Sequence, residues 1–245
     1  MIITGSGYSN SPTEFIDVIN DKTCNNLAKF PKGVSNEAVG GNLQGIPIVC
    51  GGYGFPIQGE EVVDSDICYK LTMSGWKFFA KMKFTRRVAA GITYNDKFHL
   101  FGGDTKYAMS RRITSEIIST DGMVVNGPEL PLFEISNHGI TAINQTVSII
   151  SGGETNHFDY VDWTLYYNHE TEEFTDGPDL LEQRTDHGSA TYIDKVTKAR
   201  IPIVAGGRAW VGTWHGTTDS TERLIGGQWQ KGIIFNLKSR FFGLL

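Results

Sequence analysis

A glycine pair closes a short apolar run four times in this chain of 245 residues. The pairs are Gly51-Gly52, Gly102-Gly103, Gly152-Gly153 and Gly206-Gly207, and their first members lie 51, 50 and 54 residues apart. A degenerate fifth copy, Ile2-Ile3-Thr4-Gly5-Ser6-Gly7, stands at the start. A period of this size means one supersecondary unit used repeatedly, and it limits the fold more than any local propensity does. Two further markers keep the same register. From the second glycine of each pair, a large apolar residue follows at Trp76, Val124, Phe174 and Trp229, at offsets of 24, 21, 21 and 22. Counted from Ser6, the same offset of 21 reaches Leu27, and a proline lies four residues further on at Pro31, Pro128 and Pro178.

The clearest copy runs from Asn137 to Leu180. It reads as four short strand candidates: Ile140 to Ile143, Val147 to Ser151, Trp163 to Tyr167 and a last one around Phe174. Apolar runs of this length, bounded by Gly, Pro, Asn or Asp, are the all-β pattern, and no stretch keeps a helical period. Glycine takes positive φ without a steric penalty and lets another backbone approach closely, so a pair suits a sharp exit from a packed sheet. The recurring ring buries apolar area between neighbouring sheets. Proline after the fourth strand removes a donor and stops the ladder.

This pattern resembles the kelch repeat. The matching features are the strand-ending glycine pair, the third-strand aromatic at Tyr69 or Tyr166 and the Trp-like position late in each unit. The resemblance covers residues 2 to 231 and implies an all-β, kelch-type β-propeller with about five recognisable four-stranded blades, either a full ring or an incomplete set. The expected units are 2–31, 32–82, 83–130, 131–180 and 181–231, within a single domain of residues 1–245. The expected strands of the first unit are Ile2 to Thr4, Phe15 to Ile19 and one near Leu27. A divergent tail follows at 232–245. In one reading Ile233 to Leu237 supplies the missing first strand of unit one and closes a five-bladed ring. In the other the chain is a piece of a longer propeller.

Bulk properties narrow the function. Net charge is −5, whereas a general nucleic-acid binder needs a basic surface, so no nucleic-acid partner is expected. No run reaches transmembrane length, so no membrane partner is expected either. The cysteines are Cys24, Cys50 and Cys68, an odd count without paired spacing. That argues against a disulfide framework, so buried free thiols are expected. The expected location is cytoplasmic, or secreted if the true start lies upstream. One sequon, Asn144-Gln145-Thr146, falls in an expected hairpin turn, and it carries no meaning in a cytosolic protein.

Recognition is expected in the loops after the glycine pairs, because variable loops on a rigid scaffold carry it. In kelch proteins these loops share one face that commonly binds a peptide or protein. The richest is Arg208-Ala-Trp210-Val-Gly-Thr-Trp214-His215, since Arg and Trp are typical interface anchors. Tyr53 and His157 belong to the same set of loops. Arg87 lies four residues before Gly91 and Arg184 four before Gly188. With Arg111, Arg112 and Arg208 these form a candidate basic cluster for an acidic peptide or carboxylate. A second reading makes Arg87 and Arg184 structural, bonded to neighbouring carbonyls. His138 and His187 read as repeat histidines satisfied within the fold. Glu154 and Asp159 are a candidate acid and base, or a solvated acidic loop.

No metal-ligand spacing and no cofactor motif is present. The copper oxidases that share the kelch repeat need a Cys–Tyr crosslink and a His pair, and the three cysteines do not supply one. The expected function is therefore a protein–protein interaction module or scaffold, not an enzyme, with a protein or peptide partner. Many kelch propellers are substrate-recognition parts of ubiquitin-ligase adaptors, but the BTB and helical domains of those adaptors are not in this sequence. The alternatives are a propeller enzyme acting on a sugar, of isomerase or oxidase type, and an extracellular carbohydrate-binding protein.

Overall fold

The structure, a computed structural model, describes residues 2–4, 13–17, 22–24, 28, 30, 36–54, 63–105, 113–131, 134–211 and 214–232. Every regular element among them is a strand. Four sheets are four-stranded, antiparallel and formed from strands in sequence order. Sheet two holds Val39–Leu43, Ile46–Cys50, Ile67–Thr72 and Gly75–Lys81. Sheet three holds Ala90–Tyr94, Lys97–Phe101, Ser115–Ser119 and Val124–Asn126. Sheet four holds Gly139–Ala142, Val147–Ser151, Thr164–Asn168 and Glu173–Asp176. Sheet five holds Gly188–Ile193, Arg200–Ala205, Thr221–Ile225 and Gln228–Lys231. Sheet one has three described strands, Ile2–Thr4, Thr13–Asp17 and Lys22–Cys24. Its last strand thus precedes Leu27, and its middle strand begins before Phe15, because hairpin register rather than the apolar spacing sets both ends. Leu27 and the tail 233–245 lie outside the described residues, as does the closing strand of the five-bladed reading, Ile233 to Leu237.

The chain divides into two compact units, residues 1–109, 116–126 and 245 in one and 110–115 and 127–244 in the other. In the first, Leu43, Ile48, Cys50, Ala80, Phe98, Leu100 and Ile118 form one buried core. Trp76 packs edge-on against Phe30, ring centres 5.0 Å apart. In the second, Ile149, Leu180, Val204, Leu224 and Trp229 form the corresponding core. The repeated apolar marker sits where the sequence places it: Trp76 faces Leu71, Val124 faces Ile118, Phe174 faces Tyr167 and Trp229 faces Leu224 across the last hairpin of each sheet.

Both residues of every glycine pair have φ between 56° and 112°. A Cβ on Gly103 would stand 2.8 Å from the Arg87 carbonyl oxygen, and one on Gly153 2.8 Å from that of Ser136. Side chains are therefore excluded by close backbone approach as well as by φ. The pair also docks the next sheet. Gly52 N–H donates to the Arg86 carbonyl at 2.7 Å, and Gly153 N–H to the Arg184 carbonyl at 2.8 Å. Two residues after each arginine, a residue in the left-handed region makes a second link. Val88 N–H donates to the Glu37 carbonyl at 3.0 Å, and Asp186 N–H to that of Asn137 at 3.1 Å.

The arginine side chains close the same junction. Arg86 donates to the Gly102 carbonyl at 2.5 Å and to Glu116 at 2.8 Å. Arg184 donates to the Gly206 carbonyl at 3.1 Å and to Glu222 at 2.6 Å. Both guanidinium groups and both glutamates are buried. This corrects the sequence register by one residue, since Arg86 rather than Arg87 corresponds to Arg184. Arg184 is structural, not a contact residue. In sheet four the same two positions hold Ile135 and Leu165, both fully buried.

The cysteine expectation is also corrected. Cys50 and Cys68 face each other on neighbouring strands and are joined by a disulfide. Counting cysteines fails here because strand pairing, not sequence spacing, brings the two thiols together. The loops after the glycine pairs continue as short ribbons: Tyr53–Gly54 with Val63–Asp64, Ile135–Ser136 with Glu154–Thr155, and Arg184–Thr185 with Arg208–Val211 and Trp214–Thr217.

Removing one partner of a buried ion pair leaves an uncompensated charge, so Glu116→Ala is expected to cost about 3–5 kcal/mol in urea unfolding. The double variant Arg86→Ile/Glu116→Leu, which copies sheet four, is expected to cost less than that single change. Equal losses would show that the charge itself is needed.

Candidate functional site

The position just after each glycine pair carries a different side chain in each sheet: Tyr53, Asp104, Glu154 and Arg208. Each is paired across the backbone with the residue that follows the junction arginine position, namely Asn36, Arg87, Ser136 and Thr185. The junction thus fixes four equivalent main-chain sites and leaves their side chains free to differ.

In the first unit, Arg87 bonds Asp104 at 3.3 Å, lies 3.9 Å from Glu37 and covers the Tyr53 ring at 5.5 Å. Burial raises the Tyr53 phenol pKa, and the Glu37 charge adds to the rise while Arg87 opposes it. In the second unit, Arg208 Nε donates to Asp186 at 2.7 Å and Nη2 to Glu154 at 3.4 Å, with the guanidinium over the Tyr160 ring at 5.4 Å. Burial pulls the Arg208 pKa down, but Asp186, Tyr160 and Glu154 outweigh it and the net shift is upward. Arg208 is therefore a fixed, permanently charged donor. It is partly exposed, and its Nη1 carries no partner among the described residues.

The arginines of the expected basic cluster differ in burial and pairing. Arg184 is buried, Arg87 and Arg208 belong to different units, and each is neutralised by its own carboxylates. Arg111 and Arg112 lie outside the described residues, as do the side chains of Trp214 and His215. Trp210 is 54% exposed, and Phe158 is 61% exposed at the tip of the connection that carries Tyr160. His157 is exposed beside it, its N–H bonded to Thr155 Oγ1 at 3.3 Å. Glu154 accepts from Arg208 at 3.4 Å. Sequence reasoning missed Asp186 and Tyr160. The left-handed site shared by Glu37, Asn137 and Asp186 is the signal that identifies Asp186.

Beneath this layer lie histidines that are not surface contacts. His187 Nε2 is 3.2 Å from Ser151 Oγ, and His169 Nε2 is 2.7 Å from Ser148 Oγ. Neither ring nitrogen of His138 has a hydrogen-bond partner among the described residues, so the expectation that it is satisfied does not hold. Burial lowers the His138 pKa to about 4. Burial, then the Arg184 charge and His138, lower that of His187 to about 3. Burial lowers that of His169 to about 4.

No family model matches the chain, and no curated protein matches it. A solved structure of YjhT superposes with a TM-score of 0.83 at 12% identity, covering 98% of this chain and 82% of that one. That likeness establishes a β-propeller-like fold for the chain.

All three buried histidines ionise more readily in the unfolded chain, where the ordinary value is 6.5, than in the fold, where the values are about 4, 3 and 4. Their contribution is complete above the unfolded value and is lost as pH falls through the folded values. The urea midpoint is expected to fall as pH drops below about 6.5, and to fall less steeply in His138→Gln and His187→Gln variants. Identical profiles would remove these histidines as the cause.

Proposed function

We propose that the chain is a kelch-type recognition module that binds a protein or peptide partner through the ribbons following its glycine pairs. One observation carries this reading: two exposed aromatic rings, Trp210 and Phe158, accompany a clamped arginine. Trp210 lies two residues from Arg208 on one strand and so shares its face. Phe158 lies two residues from the Tyr160 that supports Arg208. Aromatic anchors beside a pre-oriented arginine are the usual energetic centre of an interface. With Glu154 and Asp186 neutralising it, Arg208 orients a partner carboxylate or carbonyl through Nη1, and the rings supply the buried area.

A second reading is favoured by the convergence of Arg208, Asp186, Glu154 and Tyr160. Two carboxylates, an arginine and a tyrosine together provide the donors and acceptors that a sugar's hydroxyls require, with or without turnover. The two readings separate experimentally. The intact chain immobilised on resin is used to capture proteins from its own source, beside Trp210→Ala and Phe158→Ala variants. A recognition module is expected to lose the same captured protein in both variants, with purified-partner affinity weakened about 30-fold or more. Unchanged capture by both variants would remove this face from the reading. Sugar binding that depends on Arg208 but not on Trp210 would favour the second.

A further inference from the structure

We infer that Asn144 is an N-glycan attachment site and that the chain matures in an oxidising compartment that glycosylates proteins. The turn joining Gly139–Ala142 to Val147–Ser151 carries Asn144-Gln145-Thr146, the acceptor pattern with a residue other than proline in the middle. Asn144 and Gln145 are exposed. The Asn144 side chain is set by its oxygen alone. Oδ1 accepts from Thr146 N–H at 2.8 Å, from Val147 N–H at 2.8 Å and from the Thr146 hydroxyl at 3.3 Å. No described group bonds to Nδ2, the atom that carries a glycan.

The strand ladder closes immediately below the turn. Ile143 N–H and Asn144 N–H both donate to the Val147 carbonyl, at 2.8 and 3.2 Å. A substituent on Nδ2 therefore breaks no contact of the fold. Transfer to the nascent chain precedes folding, and what the fold must do is leave the modified side chain outside, which this turn does.

The second observation is independent of the turn. The Cys50–Cys68 disulfide is buried between two strands of sheet two. Such a bond persists where thiols are oxidised, in secreted proteins and the compartments that lead there, and those are where sequons are used. The required co-reactant is a lipid-pyrophosphate-linked oligosaccharide with its transferase. Nδ2 forms a bond to the anomeric carbon, the anomeric C–O bond to pyrophosphate breaks with its electron pair leaving on the pyrophosphate, and Nδ2 gives one proton to a base.

The test uses the full chain captured by antibody from its natural source, with mobility compared before and after peptide-N-glycosidase treatment. The inference expects a faster-moving product after treatment, deamidation on the peptide that carries Asn144, and no free thiol at Cys50 or Cys68. A second arm directs the full chain into the secretory pathway of an animal cell behind a heterologous leader, read on the total cell pool so that retention does not matter. There the glycan is expected in wild type and Thr146→Ser and lost in Asn144→Gln and Thr146→Ala. An unmodified Asn144 in the native protein, or wild type without a glycan in the second arm, overturns the inference.

Discussion

Everything in this molecule hangs on the backbone hydrogen bond from a glycine of one sheet to the carbonyl of the residue that precedes the next. Gly52 to Arg86 and Gly153 to Arg184 are the two described examples. The bond forms only because both glycines of the pair lie in the left-handed region, where the second N–H turns out of its own sheet. The residue two positions later repeats the arrangement from the other side, and Val88 accepts positive φ there despite its branched side chain. Main-chain bonds do not depend on side-chain identity. This explains how units with little else in common keep one geometry.

The same junction explains where variation is allowed. At Arg86 and Arg184 the position is held by its carbonyl, and sheet four has Ile135 and Leu165 where the other two sheets have Arg and Glu. Charged and apolar pairs of similar volume serve the interior comparably, because desolvation offsets much of the attraction in a buried ion pair. One residue further on, the position faces the residue after the glycine pair, and it is half-buried at Arg87 but fully buried at Thr185. There the chain places Arg87 with Asp104 in one sheet and Thr185 with Arg208 in another. A rigid main-chain ledge with unconstrained side chains is where recognition can be changed without loss of fold.

The period, the glycine pairs and the apolar marker were legible because they answer to backbone geometry and bulk burial, which leave spaced traces in one dimension. What was not legible depended on pairing across strands. Arg87 looked equivalent to Arg184 because both stand four residues before a glycine, yet the left-handed Val88 and Asp186 set the register one residue differently. In a strand a one-residue slip exchanges the buried and exposed faces. Spacing from the glycine therefore skips the fully buried Arg86 and groups the partly exposed Arg87 with the buried Arg184. The disulfide was hidden for the same reason, as Cys50 and Cys68 are 18 residues apart and meet only through the third strand. Asp186 and Glu154 come to Arg208 from two sheets, and no spacing rule links them.

The clamp on Arg208 differs in kind from the buried pairs at Arg86 and Arg184. The latter spend their donors on glycine carbonyls and glutamates within the fold. Arg208 is held by two carboxylates and a ring, yet its side chain stays partly exposed. A flexible arginine loses considerable side-chain freedom when it binds, on the order of 2 kcal/mol. Here Asp186 and Tyr160 have already taken most of that loss during folding. An incoming group therefore meets a donor in fixed orientation rather than one that must be ordered on contact. The two carboxylates also cancel long-range attraction, so this arrangement selects by geometry at close range and not by net charge. That is a physical reason to look for its ligand among groups with a well-placed acceptor, whatever their overall charge.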